Sequence, residues 1–326
     1  MEIQKNFFET LKSKLPSHIS LAHEVSDLLN ISVDSAYRRI RGEKELSISE
    51  LSTLCEHYDI SVDAILNHRS NNIIFKKLYH QKNDLDEYYL YTKDVTERLE
   101  LISTLSGPKE MYYLAREIPF FHLTPYPELA LFRVFVCYQM NSKNDVSYDE
   151  FLDGIDRKKI MDYYHRMLLS YNKIPSKEIW VRDTADATLQ LLEYYYELNM
   201  FRTPDTCLLL CNQLLQMINN IEKWAETGSK GDKSNISYKM YLSLICLENS
   251  FMMTKWGDIT STTINVFVIN GVTTSNESFC TKAEKWFNGI VERSLYISKS
   301  SKLERFKFFQ EIRTKIRDLV KKIKNE

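Results

Sequence analysis

The sequence predicts a mainly α fold with a small antiparallel sheet, an α+β chain in two parts. Apolar residues recur at three- and four-residue intervals along most of its 326 residues, the mark of amphipathic helices. Between Tyr238 and Val268 the period changes to two, as in strands. A polar run without periodicity, NHRSNN at 67–72, separates a short helical segment from a longer remainder. The expected domains are therefore 1–70 and 71–326. With 44% hydrophobic and 27% charged residues, both parts have the composition of folded protein.

Ile3, Phe7, Leu11 and Leu15 recur every four residues and predict an opening helix that Pro16 ends. Ser20 is placed to cap a second helix carrying Leu21, Val25, Leu28 and Leu29. Asn30-Ile31-Ser32 reads as a turn, because Asn tolerates left-handed backbone and Ser32 can cap the next piece. A third helix runs from Val33 to about Arg41 and stops at Gly42. Ser47 with Glu50 forms a capping-box pattern for Ser47–Tyr58, and Ser61 starts a last short turn over Val62–Leu66.

In the longer part, Leu85 to Leu105 predicts a helix stopped by Gly107-Pro108. Met111 to Ile118 is short, apolar and tolerant of β structure. Pro127 opens an aromatic-rich helix, and Arg157–Tyr171 and Glu178–Met200 predict two more. Thr203-Pro204-Asp205 starts a helix to Trp224 whose two apolar rows predict a central position. The loop Thr227–Ser234 lacks the GK[ST] ending of a phosphate loop. Tyr238–Cys246 and Ile264–Val268 alternate as strands, with turns at Trp256-Gly257-Asp258 and Asn270-Gly271, predicting three or four antiparallel strands. Glu277–Arg293 and Leu303–Ile323 close the chain as helices. The last carries Phe306, Phe309, Ile312, Ile316, Leu319 and Ile323 as a stripe, and residues 302–326 hold a net charge of +5. Such an end is a core helix with a solvated face, or a basic surface for DNA or an acidic partner.

A helix, a three-residue turn and a second helix are the shape of a DNA-binding helix-turn-helix. Within Val33–Arg41, Val33, Ala36, Tyr37 and Ile40 fall on one arc, and Asp34, Ser35, Arg38 and Arg41 on the other. The second arc holds donors and acceptors for base edges: Arg38 suits guanine, and Ser35 or Asp34 a neighbouring base. Arg39, Arg41 and Lys44 suit phosphates, which position a protein without reading sequence.

Residues 20–66 resemble the Cro/CI-like (XRE-type) helix-turn-helix family. DSAYRRIRGEKELSISEL, residues 34–51, is similar to the version in Bacteroidetes-type regulators, and SLYISKSSKLERFKFFQEI more loosely resembles the tail of the same regulators. The chain departs from the family pattern at Ser26 and Asn30, where Ala and Gly are usual, and Ile40 falls one residue late. The choice among Ser35, Tyr37 and Arg38 as base readers thus stays open. The resemblance implies a sequence-specific, DNA-binding transcriptional regulator, commonly a homodimer on a two-fold site of double-stranded DNA. Ser20, Ser32, Asp34, Ser35, Tyr37, Arg38, Arg39, Arg41 and Lys44 form the expected interface. The longer domain would hold the dimer contact, sense a small-molecule or protein effector, or both.

Charge argues in the other direction. Residues 1–70 hold eight Lys and Arg against eleven Asp and Glu, so DNA binding must rest on a local basic strip. That balance supports an alternative, a protein-interaction adaptor whose helix-turn-helix no longer reads DNA. No HExxH, CxxC pair or Gly-rich nucleotide loop occurs, so neither enzyme, metal nor cofactor is expected. A third reading, an enzyme fused to an operator-binding domain, would need a polar cluster in the longer domain. His122 beside Tyr126 reads as a hydrogen-bonded core residue. The six cysteines, CxxxC at Cys207 and Cys211 included, read as buried thiols in a reducing cytoplasm. Met1–Lys14 is an amphipathic charged helix rather than a signal peptide, and no apolar run approaches a membrane span. The expected location is cytoplasmic.

Overall fold

Two stretches of the chain build separate cores, Met1–Ile74 and Phe75–Glu326. The computed structural model describes residues 2–16, 19–58, 60–62, 73–77, 85–141, 146–231, 235–245, 248–265 and 271–325. The expected boundary NHRSNN and most of the turn Val62–Leu66 lie outside the described residues.

The first unit is all helical among its described residues: α1 (Glu2–Lys14), α2 (Leu21–Leu29), α3 (Val33–Ile40) and α4 (Ile48–Tyr58). Phe7, Phe8, Leu11, Val25, Ala36, Leu54, Cys55 and Ile60 form its core. The α1 stripe holds at Phe7 and Leu11, while Ile3, at the fraying start of the helix, is exposed. Asn30 ends α2 in the left-handed region at φ 51°, and the Ile31 amide donates back to Ser26 O at 3.0 Å.

The second unit carries one eight-stranded sheet. Its strands are β1 (Lys76–Lys77), β2 (Lys109–Ala115), β3 (Ser176–Trp180), β4 (Tyr238–Leu242), β5 (Phe251–Trp256), β6 (Ile259–Asn265), β7 (Gly271–Thr274) and β8 (Leu295–Tyr296). They lie in the order β1-β7-β6-β5-β2-β3-β4-β8. The pairs β2–β3 and β3–β4 are parallel and the rest antiparallel. The α+β class stands, but the sheet is larger than three or four strands and is mixed.

Of the added strands, β2 falls on the β-tolerant run Met111–Ile118 and β3 on a segment expected to be partly helical. Met111, Tyr113 and Ala115 of β2 enter one core, and Tyr112 and Leu114 enter another across the sheet. A strand buried on both faces is apolar throughout and shows no alternation. Ser176–Trp180, expected to lie partly within a helix from Glu178, is the parallel neighbour of β2. Expected strand Tyr238–Cys246 ends at Leu242, and Cys246, Val266, Val268 and Asn270 lie outside the described residues.

Helices of this unit are α5 (Leu85–Thr104), α6 (Phe120–Leu123), α7 (Pro127–Asn141), α8 (Tyr148–Asp153), α9 (Arg157–Tyr171), α10 (Asp186–Glu197), α11 (Pro204–Thr227), α12 (Glu277–Val291) and α13 (Lys302–Asn325). The larger core gathers residues of α5–α11 and α13. Phe287 and Ile290 of α12 join Ile179, Phe251 and Met253 in the smaller one. As its two apolar rows predict, α11 is central, burying Cys207, Leu210, Cys211, Leu214, Met217, Ile218 and Ile221.

The basic end α13 is a core helix, with Phe308, Phe309, Ile312, Ile316, Leu319 and Ile323 buried. Phe306 leaves the expected stripe and is exposed. Several α13 cations are held within the unit: Arg313 meets Glu222 at 2.5 Å, Lys315 meets Asp186 at 2.8 Å, and Lys322 meets Glu193 at 2.8 Å. No described helix is long and apolar enough to cross a membrane.

Candidate nucleic-acid interface

The surface of α3 is built from both its ends. Ser32 caps its start, its Oγ accepting from the Ser35 amide at 3.3 Å. Gly42, at φ 78°, reverses the chain after the helix, a backbone region that costs a residue with a Cβ. The amides of Glu43 and Lys44 then both donate to Arg38 O, at 2.8 and 3.2 Å. One helix end therefore gathers Arg38, Arg41, Glu43 and Lys44.

Buried Ala36 and half-buried Val33 and Ile40 turn inward, while Asp34, Arg38 and Arg41 are exposed and Ser35 half-buried. Tyr37 was expected on the inward arc, but its side chain is 47% exposed. A short helix against two neighbours buries a narrow arc, and Tyr37 lies at its edge. That places Tyr37 among the accessible groups, beside Arg38. Ser20 is exposed at the start of α2 and makes no cap hydrogen bond. It belongs to a different helix end.

Arg39 is the correction. Expected to contact phosphate, it is only 3% exposed. Its Nη2 and Nε donate to the two carboxylate oxygens of Glu50 at 2.6 and 3.3 Å, and its Nη1 donates to Ser35 O at 3.1 Å. Glu50 also closes the expected capping box, accepting from the Ser47 amide at 2.9 Å while Ser47 Oγ accepts from the Glu50 amide at 3.2 Å. Arg39 holds the Glu50 carboxyl below its ordinary range; burial opposes this and the Ser47 amide assists. Arg39 therefore locks α3 to α4 and leaves Arg38 and Arg41 to face solvent.

Gln4 was not legible as part of this region. Its Nε2 donates to Arg39 O at 2.7 Å and Lys44 O at 2.8 Å, and its Oε1 accepts from the Leu46 amide at 3.1 Å. A polar residue on α1 thus pins the loop after α3. Ser26, in the position where the resembled family carries Ala, donates its Oγ to Ile31 O at 2.6 Å and fixes the turn. Neither contact has a local sequence signal, since each joins residues whose spacing matches no cap.

The second unit holds a different polar cluster. Glu178 on β3 is buried and accepts from His122 Nε2 at 2.9 Å, Trp180 Nε1 at 2.8 Å, Tyr238 OH at 3.0 Å and Tyr171 OH. The His122 ring packs among Tyr171, Trp180, Trp224 and Tyr238 with centroids 5.6–6.1 Å away. Burial pushes the Glu178 carboxyl up, but His122, Tyr171 and Trp180 outweigh it and hold the group at about 2. Lys230, from the loop after α11, is buried as well, donating to Tyr171 O at 2.9 Å and Ile174 O at 2.8 Å. With four donors on one carboxylate, the cluster is saturated by its own members and tethers β3, β4, α6 and α9. His122 is the hydrogen-bonded core residue the sequence suggests. Among the described residues no three His, Cys, Asp or Glu side chains are placed to hold a metal ion.

Comparison with protein-family models, with curated proteins and with solved structures gives no match for this chain.

Proposed function

We propose that this chain is a sequence-specific DNA-binding transcriptional regulator that acts in the cytoplasm, as a homodimer on a two-fold site. The observation that carries the reading is the solvent face of α3. A capped helix, set by a left-handed turn after α2, presents Asp34, Ser35, Tyr37, Arg38 and Arg41 away from its buried Ala36 side. Arg38 reads a base edge, while Arg41 and Lys44 take phosphates. A single helix of eight residues reaches few base pairs, so pairing of two copies supplies the specificity. The longer unit serves the dimer contact, an effector, or both.

The test is titration of the full chain onto a fluorescent duplex pool across a salt series. Binding that weakens steeply with salt is expected, and Lys44→Ala lowers the slope by about 0.9 per protomer bound. The net −3 charge of residues 1–70 favours a second reading, a protein-interaction adaptor. Salt-independent binding, or none, puts the adaptor ahead.

A further inference from the structure

Glu43 stands between the two arginines on which the DNA surface depends. One of its oxygens meets Arg41 Nε at 2.9 Å; the other meets Arg41 Nη2 at 3.4 Å and Arg38 Nε at 3.9 Å. The placement is set by the backbone, through the turn at Gly42 and the Glu43 amide on Arg38 O. All three side chains are about half exposed, at 53%, 57% and 48% for Arg38, Arg41 and Glu43. Pairs this exposed add little to folding. The Arg39–Glu50 pair one turn away already supplies the lock, so the carboxylate of Glu43 has its consequence at the surface.

We propose that Glu43 is an internal competitor for Arg38 and Arg41 that weakens binding to DNA of arbitrary sequence. The inference rests on the DNA-binding reading above. A phosphate arriving at this helix end meets guanidinium charge that a carboxylate already partly neutralises, and the carboxylate itself repels it. Where Arg38 finds a base edge offering two acceptors, hydrogen bonds replace Glu43; elsewhere only phosphate contacts offset its loss. Glu43 therefore acts most where the sequence is wrong. Freeing one arginine for phosphate steepens the salt slope by about 0.9, equivalent to roughly eight-fold tighter binding per protomer near 0.1 M salt.

The experiment measures anisotropy of a fluorescent duplex of random sequence with the full chain over a salt series. Wild type is compared with Glu43→Gln, with Glu45→Gln as a control of equal charge change, and with each glutamine variant in an Arg38→Ala/Arg41→Ala background. The expected result is a gain of about eight-fold per protomer bound and a steeper slope for Glu43→Gln alone, lost in the background without the two arginines. A gain matched by Glu45→Gln, or one that persists at full size in that background, overturns the competitor role and leaves the DNA-binding reading standing. No binding by wild type or any variant at low salt overturns both.

Discussion

Replacing Arg39 with Ala tests whether this residue belongs to the fold or to the DNA surface. The guanidinium donates twice to Glu50 and once to Ser35 O, and its side chain is almost fully buried while that of Glu50 is 20% exposed. Removing one partner of a buried pair costs about 3–5 kcal/mol. Glu50 keeps the Ser47 amide and partial access to water, which sets the expected loss near the lower bound, about 3 kcal/mol. A unit of this length holds only ~4–11 kcal/mol in total. The two units can be followed separately, because Trp180, Trp224, Trp256 and Trp286 all lie in the second. Arg39→Ala should move the unfolding of the first unit, seen by far-ultraviolet circular dichroism, to lower denaturant and leave the tryptophan transition in place. Glu50 titrates below its ordinary value of 4.5 in the folded state, so its contribution is present above that pH and fades as pH falls through the native value. The gap between wild type and Arg39→Ala therefore narrows on acidification. An unchanged unfolding midpoint together with a salt slope lowered by about 0.9 would return Arg39 to the phosphate contacts and refute this reasoning.

Two further substitutions probe the supports of each unit. Glu178→Gln strips the charge from a buried carboxylate with four donors and should destabilise the second unit by about 3 kcal/mol, read by tryptophan fluorescence. Because the Glu178 carboxyl sits at about 2 when folded, its contribution is present above pH 4.5 and lost as pH falls towards 2, and the variant lacks that acid limb. An identical acid limb in wild type and variant would contradict it. Ser32→Ala removes the cap of α3 and should cost about 1 kcal/mol in the first unit, with Ser32→Asp recovering most of it. Equal losses for both would show that Ser32 acts by some route other than capping.

What the sequence revealed follows from the range of the interactions involved. Local signals were readable: Asn30 with Ser32, Gly42, and the Ser47–Glu50 capping box all specify backbone within a few residues and all occur as expected. Interactions between elements were not. Arg39 and Arg38 are adjacent and chemically alike, and only the packing of α4 decides that one is buried and the other exposed. Glu50 was legible as a cap and illegible as a partner of Arg39, since that pairing spans two helices. The sheet shows the same division. The turn of the antiparallel β5–β6 hairpin was legible at Trp256-Gly257-Asp258, where Gly257 has φ 56°. No strand was expected over Phe251–Trp256, and the strand after the turn was expected at Ile264–Val268 rather than Ile259–Asn265. The parallel core β2–β3–β4 consists of short runs joined by helices, and β3 carries Glu178, a charged residue that hides a buried strand. Its four donors come from positions scattered between residues 122 and 238.

Selection of binding sites from a random duplex pool, run in parallel on wild type and Arg38→Ala, tests the proposed function most directly. The account predicts a two-fold motif for wild type that relaxes at one base pair per half-site in the variant, a loss of ~1–3 kcal/mol at that position. Failure of wild type to enrich any motif at low salt, with and without cell extract as a source of effector, would contradict it.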